Sequence, residues 1–122
     1  MSEIRSHRDL IAWQRSMDLV VALYAVTAHW PKEELYGLTS QARRAAVSVP
    51  ANIAEGYGRE NRGSYVHHLK IAQGSLKELE THIEIARRLD LVGEQRCEEL
   101  LGAADAVGRL LHKLIRSLEQ SA

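Results

Sequence analysis

The chain has no phenylalanine, only two prolines and a single cysteine in its 122 residues. One cysteine, Cys97, cannot build an intrachain disulfide framework, and such a composition suits a reducing compartment. With so few prolines and no run that alternates apolar and polar residues, little interrupts helix. Net charge is lacking too, since 16 basic residues face 16 acidic ones. A dedicated nucleic-acid binder shows a basic excess, so the overall balance argues against that class. The longest apolar run, Leu19 to Val26, is too short to cross a bilayer as a helix. The opening Met1-Ser2-Glu3-Ile4-Arg5 has no apolar stretch of the signal-peptide kind. These absences lead us to expect a cytoplasmic protein without a membrane partner, with residues 1–122 as one domain.

What is present is rich in Ala, Leu, Glu and Arg, and it reads as helix throughout. The periodicity predicts four helices, over about 8–29, 39–58, 62–90 and 94–119. In the first, Leu10, Trp13, Met17, Val20, Tyr24 and Thr27 recur at spacings of three and four and should face a core. Pro31 closes it. Thr39 is the expected N-cap of the second, whose stripe is Leu38, Ala42, Ala45, Val49 and Ile53. Pro50 removes a backbone donor inside it and predicts a kink or break near Ala46, and Gly56 and Gly58 mark its end. Asn61 should cap the third. Its residues Tyr65, Leu69, Ala72, Leu76, Leu79, Ile83 and Ala86 form a heptad seam. The fourth carries a second seam, Cys97, Leu100, Ala104, Val107, Leu111, Leu114 and Leu118. Short connections then imply an all-α, antiparallel up-down four-helix bundle.

Catalytic and metal chemistry finds little footing. Di-iron bundles need Glu-x-x-His on two helices, and none of the six histidines has an acid three residues before it. Glu78, His82 and Glu84 share part of a helix face but read as a solvated cluster. Cys97 lies on an apolar seam and reads as a buried structural thiol. Gly56, Gly58 and Gly63 follow a helix rather than a strand, so a phosphate loop is excluded. Ser48, Ser64 and Ser75 lack the context of an activated nucleophile. The expectation is a non-enzymatic protein with no cofactor, no metal and no small-molecule substrate.

Two polar stripes carry more information. Gln41, Ala45, Ser48, Asn52, Glu55 and Arg59 run along the second helix; His68, Ile71, Ser75, Glu78 and His82 run along the third. Antiparallel packing would bring Asn52 and Glu55 near Ser75 and Glu78, with Arg43 or Arg44 as counter-charge. Such a network fixes helix register or lines a partner cleft. A basic corner gathers Arg59, Arg62, His67, His68 and Lys70, and repeated around an oligomer it would offer a phosphate-binding patch. The first helix is apolar nearly all round between Leu19 and Val26, which predicts burial on a second side. Leu19, Val21, Leu23 and Val26 are therefore the expected subunit interface of a homo-oligomer.

The segments Asp9-Leu10-Ile11-Ala12-Trp13, Leu38 to Gly56 and Ile71 to Glu80 carry a resemblance to a known family. The most specific part is the run from Arg43 to Gly56, Arg-Arg-Ala-x-x-Ser-x-x-x-Asn-Ile-Ala-Glu-Gly. The chain resembles the bacterial four-helix-bundle family called the 23S rRNA intervening-sequence proteins, from about Arg8 to Leu118. That resemblance implies an up-down bundle and a homopentamer, and it makes Arg43, Arg44, Ser48, Asn52, Glu55, Ser75 and Glu78 the characteristic polar positions. Some members are encoded within intervening sequences of 23S rRNA genes. The family is also similar to the accessory protein of diversity-generating retroelements, a strongly basic protein that associates with a reverse transcriptase and nucleic acid. The leading expectation is a self-assembling binding module; the alternative is an RNA- or ribonucleoprotein-binding accessory protein.

Overall fold

A computed structural model describes residues 3–121; Met1, Ser2 and Ala122 of the expected domain lie outside them. The first regular element is a short turn rather than the start of a long helix. His7–Asp9 forms a 3-10 turn, with Ser6 and Asp9 as a reciprocal capping box. Leu10 is then extended (φ −77°, ψ 124°), and α1 spans Ile11–Thr27. A second 3-10 turn, Lys32–Glu34, precedes α2 at Leu38–Tyr57. Helices α3 (Arg62–Arg88) and α4 (Glu94–Gln120) follow.

The helix ends show which local chemistry prevailed. Thr39 is not the N-cap of α2: it lies within the helix and is buried, and the helix starts one residue earlier, after Gly37. Gly37 has no side chain to offer, so the Glu34 carboxylate accepts from Leu38 N–H at 3.2 Å instead. Asn61 does cap α3, its Oδ1 accepting from Ser64 N–H at 2.9 Å. At the other end of α3, Leu91 N–H donates to Ala86 C=O (2.9 Å) and Asp90 N–H to Arg87 C=O (3.1 Å). That is a Schellman motif, and it holds Asp90 at φ 59°, where glycine is the usual residue. Helix α2 runs unbroken through Pro50, which removes only the bond to Ala46.

The predicted seams of α2 and α3, and that of α4 as far as Leu111, point inward. Beyond Leu111 the α4 seam shifts, with Ile115 buried and Leu114 and Leu118 packed at its margin. The face of α1 is a correction. Its buried residues are Ala12, Ser16, Leu19, Leu23 and Thr27, while Met17 and Tyr24 are exposed. Two polar residues take core positions because their hydroxyls bond backward to the helix itself. Ser16 Oγ donates to Trp13 C=O (2.8 Å) and Thr27 Oγ1 to Leu23 C=O (2.9 Å), which meets the cost of burying them. Each helix packs on its two neighbours around one core cluster, and no Cα pair between diagonal helices comes within 8 Å.

The α2–α3 pairing is the closest of the four, and Gly56 explains how. It is the penultimate residue of α2, whose C-cap is Gly58 as expected, and it is buried. A Cβ at this position would lie 2.9 Å from His68 Cβ and 3.1 Å from Tyr65 C=O. Only a residue without a side chain lets the two backbones approach this far. Among the described residues, no helix is long and apolar enough to cross a membrane.

Candidate functional site

The close approach of α2 and α3 carries one helical turn of the α2 stripe, Ser48 to Asn52, against two turns of the α3 stripe, His68 to Ser75. Ser48 Oγ and Ser75 Oγ lie 2.8 Å apart across the seam. Asn52 Nδ2 donates to Ser48 C=O (2.9 Å) and Ser48 Oγ (3.0 Å). Asn52 Oδ1 then faces His68 Nδ1 at 3.1 Å. A carbonyl oxygen only accepts, so His68 carries its proton on Nδ1 in this arrangement. The bonds therefore run from His68 to Asn52 to Ser48, and the Ser48 and Ser75 hydroxyls, either of which can donate, close the link across the seam. All four side chains are half-buried, and together they set the register of the tightest helix pair. Among the described residues no base or carboxylate bonds to either serine hydroxyl.

The acids expected to join this network do not. Glu55 pairs with Arg59 at 2.8 Å within α2, and the guanidinium holds the Glu55 carboxyl below the ordinary carboxylate range. Glu78 reaches His82 Nε2 at 3.3 Å within α3. In each case the partner lies four residues along the same helix, where pairing needs no tertiary contact. Arg43 is no counter-charge to them either. It crosses to α1, donating from Nε to Thr27 Oγ1 (2.9 Å), with its guanidinium carbon 4.5 Å from the Tyr24 ring centroid. Arg44 is exposed and forms no ion pair among the described residues. It lines a cleft of ≈ 600 Å³ between α1 and α2 with Tyr24, Tyr36, Arg43 and Val47. Of the tyrosines of this cleft, Tyr24 was expected in the core and Tyr36 was not singled out from sequence. Tyr36 sits in a connecting turn, where helical periodicity assigns no face.

The basic corner is assembled but largely spent on the chain itself. Besides Arg59, Lys70 bridges to Glu119 at 3.2 Å. Arg62 donates to the carbonyls of Leu118 (3.3 Å) and Ser121 at the end of α4, where a cation meets the negative pole of the helix. His67 stands edge-on to His68, with centroids 5.7 Å apart.

The expected interface set also divides. Leu19 (2% exposed) and Leu23 (0%) belong to the core of the single chain, and Val26 packs half-buried against that core. Leu19 and Leu23 are therefore not free to meet another copy. Of the expected residues Val21 is exposed, at 67%, and Val26 keeps part of its surface open. Cys97 is fully buried, and burial pushes its thiol pKa up. Among the described residues no group of three or more His, Cys, Asp or Glu is placed to hold a metal ion; Glu84 turns to Arg87 rather than toward His82.

The chain matches the family described as 23S rRNA-intervening sequence protein over residues 8–113. No curated protein matches it. Among solved structures it is similar to a protein of unknown function from the S23 ribosomal protein family of Bacteroides thetaiotaomicron. The two are 20% identical, with 87% of this chain and 96% of that one covered and a TM-score of 0.81. At that identity the likeness establishes the fold. With four packed helices and a family match over nearly its whole length, the chain belongs to the 23S rRNA-intervening sequence protein family.

Proposed function

We propose that the chain is a non-enzymatic module whose copies assemble into a ring, five in number as the family resemblance implies. One observation carries the reading. The α1–α2 side of the bundle leaves Val21, Tyr24, Tyr36 and Val47 exposed at 67%, 41%, 93% and 42%, with Met17 and Leu35 beside them. Apolar and aromatic side chains gathered on one side of a small domain mark an association surface, and Tyr, Met and Arg are the residues enriched there. Light scattering on the purified protein tests the reading. The expected mass is a multiple of the 13.7 kDa chain, about 69 kDa for five copies. Val21→Glu should lower it toward one chain with helicity retained. Leu23→Glu is not a test of association, since it places a charge in the core and unfolds the bundle. A parent protein that runs as a single chain overturns the proposal.

The RNA-binding alternative needs cations free to meet phosphate. Arg59, Arg62 and Lys70 are already engaged within the chain, so we place this reading second. Fluorescence anisotropy with structured RNA checks it, and no binding is expected even at low salt.

A further inference from the structure

Besides Ile4 and Ile11 near the start of the chain, the exposed large apolar residues fall into two groups on different sides of the bundle. One is the α1–α2 side described above. The other runs along the outside of α3: Ile71 (38%), Ile85 (40%) and, just past its end, Leu89 (55%). Ile71, Glu78, Ile85 and Leu89 are spaced seven, seven and four, and so form one ridge. No large apolar side chain of α4 is exposed; its outer positions are charged, among them Glu98, Arg109, Lys113 and Arg116.

We infer that copies associate head to tail, the α3 ridge of one seating in the α1–α2 cleft of the next, with Glu78 meeting Arg44. The inference rests on the self-association proposed above and assigns its two faces. Charge supports the pairing. Arg43 and Arg44 have no carboxylate partner among the described residues, and no acid lines their cleft. Glu78 is the ridge's one carboxylate, with a 59% exposed side chain and only His82 beside it. Level supports it as well. The Ser48–Ser75 bond fixes α2 against α3, so antiparallel residues 38–48 of the cleft lie at the same height as residues 75–85 of the ridge. Copies then dock without sliding along the bundle axis, as a closed ring requires. The two faces differ, so the contact is heterologous and does not stop at two copies. Helix α4, with its charged outer face, is left on the solvent side.

A complementation experiment tests this. Val47→Glu spoils the cleft and Ile85→Glu spoils the ridge. Each variant alone should scatter as one 13.7 kDa chain. Mixed in equal amounts they should form a pair of about 27 kDa, because one intact ridge meets one intact cleft and the chain of contacts ends there. If the parent assembles but the mixture yields no pair, the head-to-tail assignment fails while self-association stands. A monomeric parent removes both. Should either variant lose helicity by circular dichroism, Arg44→Glu and Leu89→Lys take their places, both at exposed positions, and the same outcomes decide.

Discussion

Replacing Gly56 by alanine puts the close approach of α2 and α3 to the test. The methyl group would sit 2.9 Å from His68 Cβ and 3.1 Å from both Tyr65 Cδ1 and Tyr65 C=O. Carbon atoms rest at about 3.5–4.0 Å, so the shortfall at His68 is about 0.6–1.1 Å. A Cβ and a main-chain oxygen cannot turn aside as a side-chain tip can, so α3 itself must move. That movement strains the bonds across the seam, His68–Asn52 at 3.1 Å and Ser48–Ser75 at 2.8 Å. Overpacking of this kind costs about 1–3 kcal/mol, and each weakened hydrogen bond up to about 1 kcal/mol more. Against this, alanine gains about 1 kcal/mol over glycine within a helix. The net expectation is destabilisation by about 1–3 kcal/mol. Gly102 supplies the control, because nothing lies within 4 Å of a Cβ built there. Gly102→Ala in α4 should stabilise by about 0.5–1 kcal/mol. Chemical denaturation followed by circular dichroism, at one fixed chain concentration because association would shift the midpoint, reads the two opposite signs. If Gly56→Ala proves as stable as Gly102→Ala, the steric account of the α2–α3 seam is wrong.

Other features give shorter expectations. Cys97 should resist a thiol reagent such as Ellman's in the folded protein and react fully once denatured, since burial both covers the sulfur and raises its pKa; prompt reaction in the native state would contradict its placement. Asp90→Gly should raise stability by about 0.5–1 kcal/mol, because Asp90 holds φ 59° at a position where glycine meets no Cβ penalty; thermal melts check the sign. Burial, reinforced by Tyr57, pushes the Tyr65 phenol up to about 12 from an ordinary 10.0. Its folded pKa is raised, so the stability it contributes is complete below pH 10.0 and is lost as pH rises toward about 12. Tyr65→Phe should remove the late step in a tyrosinate absorbance titration and flatten that alkaline loss.

Helices α2, α3 and most of α4 were legible in the sequence because large aliphatic residues at spacings of three and four have one sensible direction to point. Helix α1 was not. Between Leu19 and Val26 it is apolar on every side, so periodicity could not select a face; Thr27 was expected inward and is buried, but Ser16 was missed. Its hydroxyl satisfies itself on the preceding turn, which no apolar pattern registers. The same blindness moved Leu19 and Leu23 to an imagined outer surface and left Tyr24 on an imagined inner one. Gly56 posed a different difficulty: a glycine that ends a helix and one that admits a neighbouring helix look alike until that neighbour is in place.

The polar residues divide along a physical line. Ser48, Asn52 and Ser75 have short uncharged side chains: Ser48 meets Ser75 across the seam, and Asn52 bonds Ser48 one turn back on its own helix and His68 across the seam. Glu55, Glu78 and Arg59 are long, and each finds an opposite or basic partner four residues away on its own helix. Tertiary pairing predicted from stripes is therefore dependable for short hydroxyl and amide groups and poor for long charged ones, which are captured locally first. Arg43 and Arg44 escape this rule because no acid stands three or four residues from either in α2. Position 40 is Ser and 47 is Val on either side of them, while 39 is Thr and 48 is Ser. Arg43 turns to α1 for a hydroxyl and an aromatic ring, and Arg44 is left beside an apolar cleft with its charge unanswered. That local want of acids is what the proposed head-to-tail contact would answer, with Glu78 of a second copy.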